Sequence, residues 1–528
     1  MTHPVAPTTL RHLAYLGMVV GMVVSLVMVF FACATPSVSE HTGSTLGLVV
    51  TQVPVDGPVA SVAVDPAARY PTGSRIIFVP SIDRRDDYPD DYQVLSKTLS
   101  AAGSPDLSPD AESIVFTGRE SDADPWSIYE ARIWSGKLKK IVEIDGNCID
   151  PAYLAGSRIV FSCKPTRSAA SGSKASLDWS LYAADVDGKN VERISFGPGA
   201  AFGATALLDG RVLFSMRQRS GLGRPDEGAI ALFTSNSDGT LLEAFTGSHS
   251  QPALKLRPRQ GDGKVLFIGK PTGSGAAQIE QVDMGRPISS RIPIPFPFTP
   301  FSVEPLGNST LLIASPGYRD GSSQQASGVF RWILDESDPR LVFHQAGWRE
   351  IGALSARPTP TPKNLPSSID PTSQDGVLVC YDASRSEITD HSSSSSPRPA
   401  TGVPSTGVLK TVVLSTLTAD NKSRPEVELG RSIVESDGSF SLTVPADIPL
   451  RVTTLTPEGT ELESSDWFWI RPGEVRACFG CHESREKAPV NRPIQALSHP
   501  TRTLVAPDGV APDEVSPGEV PLDEVPGR

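Results

Sequence analysis

The chain has 528 residues, among them 48 Pro and 45 Gly, and 20% of it is charged. That length accommodates several domains with cores that need no disulfide staples, and the Pro and Gly load excludes long helical bundles. A formal charge of −12 without a long Lys/Arg cluster excludes counterion-driven nucleic-acid binding, and six cysteines are too few for a disulfide scaffold.

The first element is the uncharged apolar run of 20 residues from Leu13 to Ala32, preceded by Arg11 and His12. It reads as an export signal within residues 1–33 and predicts an extracytoplasmic protein, periplasmic or on the cell surface, tethered to a membrane. Cys33 directly follows Ala32 and is the candidate lipidation site. The alternative tether is an uncleaved anchor, because ~20 apolar residues span the ~30 Å hydrocarbon core as a helix.

Six apolar triplets follow, starting at Ile76, Ile114, Ile159, Val212, Val265 and Leu311, with spacings of 38, 45, 53, 53 and 46. Most are entered through turn residues such as Asp209-Gly210 and Asp262-Gly263. A period near that of one four-stranded blade predicts an all-β fold, a propeller of about six blades over residues 58–350, with a two-sheet sandwich as the alternative. The segment resembles TolB-like and WD40-like propeller repeats. Within it, a turn over Leu154-Ala155-Gly156-Ser157 places Cys148 opposite Cys163, and export into an oxidising compartment predicts a disulfide between them. The alternative there is a pair of buried thiols.

Residues 356–375, with Pro358, Pro360 and Pro362, read as a stiff linker. Alternating strands over 376–470 predict a small β-sandwich, interrupted by a loop containing Ser392 to Ser396. Residues 500–528 are acidic and turn-rich, and read as a disordered tail.

The chemistry-bearing motif is Cys478-Phe479-Gly480-Cys481-His482, in the segment 471–499. It matches the CxxCH attachment sequence of haem c, and a shuffled chain would contain it roughly once in a thousand. On a helical turn the thiols of Cys478 and Cys481 would share a face and bond the porphyrin vinyl groups, with His482 as proximal iron ligand. One covalently attached haem c is expected. A zinc site, a thioredoxin-like dithiol and an inert disulfide are the competing readings; zinc would need further ligands, and the inert pair leaves His482 unexplained. No Met follows Met284, so His499 is the candidate distal ligand, the alternative being a solvated residue. His249 and His344 are more distant candidates. Trp467 and Trp469 are read either as a haem-pocket wall or as core, and Arg471 and Arg476 as partners for haem propionates or solvated surface. No phosphate loop, HExxH helix or nucleophile elbow is present.

The blocks Val434-Glu435-Ser436-Asp437-Gly438-Ser439-Phe440, Val444-Pro445-Ala446-Asp447, Trp467-Phe468-Trp469, Pro472-Gly473-Glu474 and Cys478 to Glu483 resemble the C-terminal region of the family related to the hydrazine synthase alpha subunit. The resemblance implies an exported propeller joined to a haem-c segment and, in the named enzyme, redox chemistry on nitrogen compounds. That enzyme's alpha subunit carries two haems, whereas CxxCH occurs once here, so the expected role is electron transfer or haem-dependent redox chemistry other than hydrazine synthesis. The alternative is a propeller scaffold binding a protein or polymer, with a structural or degenerate haem segment. A redox partner protein is implied, but its identity is not legible in the chain.

Overall fold

A strand covered on both faces gains from apolar side chains on both, so it reads as a continuous run and not as an alternation. The apolar triplets are such strands. The computed structural model describes residues 47–56, 69–81, 91–166, 178–217, 229–247, 250–271, 275–316, 327–334, 338–385, 411–417, 426–480, 486, 488–489 and 491–505. The export run and Cys33 lie outside the described residues.

Five four-stranded antiparallel blades have their strands consecutive in sequence. Their first strands are Ala101–Leu107, Gly146–Leu154, Ala201–Ala206, Leu254–Gly261 and Ser302–Gly307, in blades 2 to 6. The triplets from Ile114, Ile159, Val212, Val265 and Leu311 lie in the second strands and are buried. Blade 1 is made from both ends of the propeller: Trp348–Ser355 pairs with Leu48–Pro54, which continues to Arg75–Val79 and Gln93–Val94. First strands of successive blades touch in order and Trp348–Ser355 touches Ala101–Leu107, which closes a ring of six.

The propeller therefore spans 48–355, starting before the expected residue 58 and ending after 350. Ile76-Ile77-Phe78 lies on the third strand of blade 1, and its second-strand counterpart is Leu48-Val49-Val50. The short first spacing of 38 arises because Ile76 and Ile114 occupy different strand positions. Both strands of blade 1 are equally buried, so hydrophobicity alone does not distinguish them.

Blades 2 to 5 share a device that the triplets do not announce. The first strand of each carries one extra residue, at Ser104-Pro105, Asp150-Pro151, Gly203-Ala204 and Arg257-Pro258, opposite Phe116, Phe161, Phe214 and Phe267. The first residue of each pair has a left-handed φ, between 52° and 62°. For Ser104, Asp150 and Arg257 this costs roughly 1–2 kcal/mol each, offset by the opposing buried phenylalanines at roughly 1.5–3 kcal/mol each. Proline follows in three of the four, at a point where a bulge leaves the backbone N–H without a ladder partner.

The bulge in blade 3 also decides the cysteine register. Leu154 pairs with Arg158, so the hairpin loop is centred on Gly156, half a residue later than expected. Unbroken, that register would set Cys148 against Lys164. The extra residue at Asp150-Pro151 shifts it back, Cys148 lies opposite Cys163 at a Cα separation of 4.2 Å, and the two are joined as a disulfide.

Beyond the ring, residues 356–374 contain no strand and run as a strap over the propeller's turns. Thr359 donates to the carbonyl of Pro109 and Lys363 to that of Leu208, while Ser367 and Ser368 donate to Asp238. The strap feeds Asp375–Cys380, the central strand of a three-stranded sheet with Phe440–Pro445 and Val475–Cys478. A four-stranded sheet opposes it, ordered Glu426–Ile433, Thr411–Leu417, Arg451–Leu455 and Glu461–Ser464. Apolar residues of both sheets, such as Leu378, Leu442, Val412 and Val452, form one core that continues into blades 3 and 4 through Trp469 and Phe196. The sandwich thus reaches past residue 470 and includes the first cysteine of the motif. Its Ser-rich loop lies outside the described residues.

Candidate functional site

Cys478 ends the strand Val475–Cys478, which runs parallel to Asp375–Cys380 and brings Cys478 level with Cys380. Tyr381 N–H donates to the Cys478 carbonyl at 2.7 Å. The local conformation is therefore a strand followed by a bend at Phe479 and Gly480, not the first half of a helical turn. Cys380 is buried, whereas Cys478 is half-buried. Phe479 is 39% exposed and meets the Tyr381 ring edge-on at 6.4 Å, and Val475 is also exposed. Gly480 has a reason of its own: a Cβ there would lie 2.5 Å from the Arg385 carbonyl oxygen. Cys481 and His482 lie outside the described residues.

The approach to the motif is wired into the propeller. Trp469 is 1% exposed, donates from Nε1 to the Gly239 carbonyl at 2.9 Å, and lies against Gly197. Trp467 is buried with the Arg451 guanidinium 5.8 Å from its ring. Both indoles belong to packing. Arg471 pairs with Asp447 at 2.8 Å, donates from Nη1 to the Asp238 carbonyl and stacks 5.0 Å from the Phe196 ring, so its guanidinium is committed to the protein. Arg476 faces the Phe468 ring at 5.3 Å. Glu474, of the Pro-Gly-Glu block, accepts from Leu241 N–H at 2.9 Å and from Arg471 N–H at 2.8 Å. Burial pushes its carboxyl above the usual range, against those hydrogen bonds.

The chain after the motif is fastened as firmly. Asp437 accepts from Ser439 N–H and Oγ, from Gln495 N–H and from Arg492 Nη1 at 2.6 Å. These donors hold its carboxyl below the usual range against the desolvation that opposes them. Ser439 Oγ in turn accepts from Ala496 N–H, and the Arg492 guanidinium lies 4.6 Å from the Tyr381 ring. The Asp-Gly-Ser turn signature was present in the sequence, but its partners 55 to 58 positions away were not legible there. Residues 500–505, expected in a disordered tail, bridge the sandwich at Arg502 and Val505, with Arg502 paired to Glu435 at 2.6 Å.

His499 is exposed at the end of the short 3-10 turn Gln495–Ser498. His344 lies 3.4 Å from Glu350 across blades 6 and 1, and that contact raises its affinity for a proton. His249 lies outside the described residues. Among the described residues no group of three His, Cys, Asp or Glu is arranged to hold a metal, and no helix is long and apolar enough to cross a membrane.

Residues 386–483 match the family described as the hydrazine synthase alpha subunit middle domain. The whole fold is similar to Kuenenia stuttgartiensis hydrazine synthase, with a TM-score of 0.70 at 18% identity over 86% of this chain and 72% of that one. TolB from Acinetobacter baumannii is similar over 60% of this chain and 68% of its own, at 15% identity and a TM-score of 0.41. No curated protein matches the chain.

Proposed function

We propose that the chain, whose residues 386–483 match the hydrazine synthase alpha subunit middle domain, is related to that subunit and is an exported, membrane-tethered haem-c protein acting in electron transfer or haem-dependent redox chemistry. The observation that supports this reading is the CxxCH motif and the position of its first cysteine. Its first thiol is half-buried at a strand end beside an exposed Phe479, between two segments anchored by Glu474 and Asp437. A cysteine at a strand end beside an exposed phenylalanine suits thioether formation with a porphyrin, and anchored flanks hold the attachment in place. Cys478 and Cys481 would hold the vinyl carbons and His482 the iron, with His499 the candidate for its other face. Haem c so held supplies one-electron chemistry at iron, tuned by its axial ligands and its burial. The single CxxCH separates the proposed role from hydrazine synthesis, and the apolar run before Cys33 supplies the tether.

Expression with cytochrome c maturation machinery, followed by a visible spectrum and a haem stain after denaturation, tests the reading. One covalent haem per chain is expected, and Cys478→Ala with Cys481→Ala should remove it. A chain without covalent haem would leave a propeller scaffold as the better description. Fractionation tests the tether: the full chain should sediment with membranes, and a chain lacking residues 1–33 found there equally would refute it.

A further inference from the structure

The bulges of blades 2 to 5 aim their residues at the propeller axis. There, a cavity of about 90 Å³ is lined by Thr51, Arg69, Ser104, Asp150, Arg257 and Ser302, among others. Asp150 is fully engaged: it accepts from Arg69 Nη1 and Nη2 at 3.0 and 2.9 Å and from Ser104 Oγ at 2.7 Å. Further along the axis, Arg259 is matched by Asp106 at 3.0 Å.

Among the described residues Arg257 has no such ion pair. Its Nη1 donates to the carbonyls of Phe301 and Ile351 at 3.0 and 3.3 Å, and the guanidinium lies 3.7 Å from the Phe301 ring centroid. Its Nη2 is shut from outside solvent and has no hydrogen-bond partner among the described residues. The Thr51 and Ser302 hydroxyls on the same cavity are likewise without partners, and Thr51 is 2% exposed. Two guanidiniums, Arg69 and Arg257, thus face one carboxylate, Asp150. Burial of Arg257 lowers its proton affinity to a value of about 10, so it remains cationic at neutral pH.

A cationic donor that shares one carboxylate with a second guanidinium and keeps an unpaired N–H edge away from solvent is costly. A left-handed backbone at an arginine is costly as well, and such strain clusters at ligand sites. Both costs converge on one cavity that also presents two uncommitted hydroxyls. We propose that the propeller's axial cavity binds a small planar oxyanion of the carboxylate type, received on the Nη2 edge of Arg257 and by the hydroxyls of Thr51 and Ser302. Guanidinium geometry matches a planar oxyanion, and the volume exceeds the roughly 10–15 Å³ needed for one water, leaving room for an anion of a few heavy atoms. This site is separate from the CxxCH segment and stands independently of the haem reading.

Acetate is the probe, titrated calorimetrically into the full chain. Saturable 1:1 binding is expected, weakened at least roughly tenfold by Arg257→Gln, the loss due to a charge-assisted hydrogen bond. The Cys478→Ala/Cys481→Ala chain should bind acetate unchanged, which separates this site from the haem segment. Should Arg257→Gln fail to fold, Thr51→Val with Ser302→Ala removes only the hydroxyls and should weaken binding several-fold. No saturable binding, full affinity in these variants, or equal competition by chloride would each overturn the proposal.

Discussion

The propeller and the sandwich that follows it are both all-β, yet they are held together differently. In the propeller most strands pair with neighbours a few residues away, and five blades repeat one hairpin plan. In the sandwich the decisive pairing is parallel and distant, joining Asp375–Cys380 to Val475–Cys478. A parallel pair needs a long connection, and here almost a hundred residues supply it. The difference teaches that periodic local pairing leaves a mark in the sequence that distant pairing does not.

The strongest way to break this comparison is to remove the non-local pairing that closes the propeller. Excising residues 48–54 takes away the strand between Trp348–Ser355 and Arg75–Val79, so the ring loses its closure and the body should unfold. Circular dichroism and gel filtration check this; a compact, cooperatively melting product would mean that the blades stand without the closing strand.

A smaller effect is expected at the seam. Trp469→Ala empties a site shared by blade 4 and the sandwich and leaves the Gly239 carbonyl without its indole donor. A loss of about 3–5 kcal/mol is expected for a buried aromatic, with two melting transitions in the variant where the intact chain is expected to show one. Retention of one transition at an unchanged temperature would show that the seam carries little of the coupling.

The smallest effect sharpens the picture inside the ring. Burial pushes Glu304 up to about 7, and its Oε2 has no partner among the described residues. In the unfolded chain the same carboxyl ionises near 4.5. The folded state therefore keeps a proton that the unfolded state gives up, and the associated stability, complete below pH 4.5, is lost as pH rises through 7. Glu304→Gln removes the titration and should stabilise the protein by about 2 kcal/mol at pH 8 and hardly at all at pH 4. Thermal melts at both pH values test this, and an equal effect at each would refute the assignment.

What could be read from the chain follows the same division. The triplets led to six blades because middle strands buried on both faces must be apolar throughout. Blade 1 was misaligned because its third strand is as apolar as its second. The cysteine pairing was reached through a turn placed half a residue early, and the bulge at Asp150-Pro151 compensated for that displacement. Around the motif, the blocks bearing Asp437 and Glu474 were visible as resemblance, while their work as anchors for Arg492, Gln495 and Leu241 was not.

By itself the sequence determined the all-β class, the blade count and the presence of a CxxCH motif, since each depends on residue type at short spacing. Only the tertiary structure decided that Trp469 and Arg471 seal a seam, that Cys478 ends a strand, and that Arg257 Nη2 lines the axial cavity without a hydrogen-bond partner among the described residues. Those outcomes depend on which distant backbones share a sheet edge and where a single extra residue rotates a side chain, and neither leaves a local pattern to read.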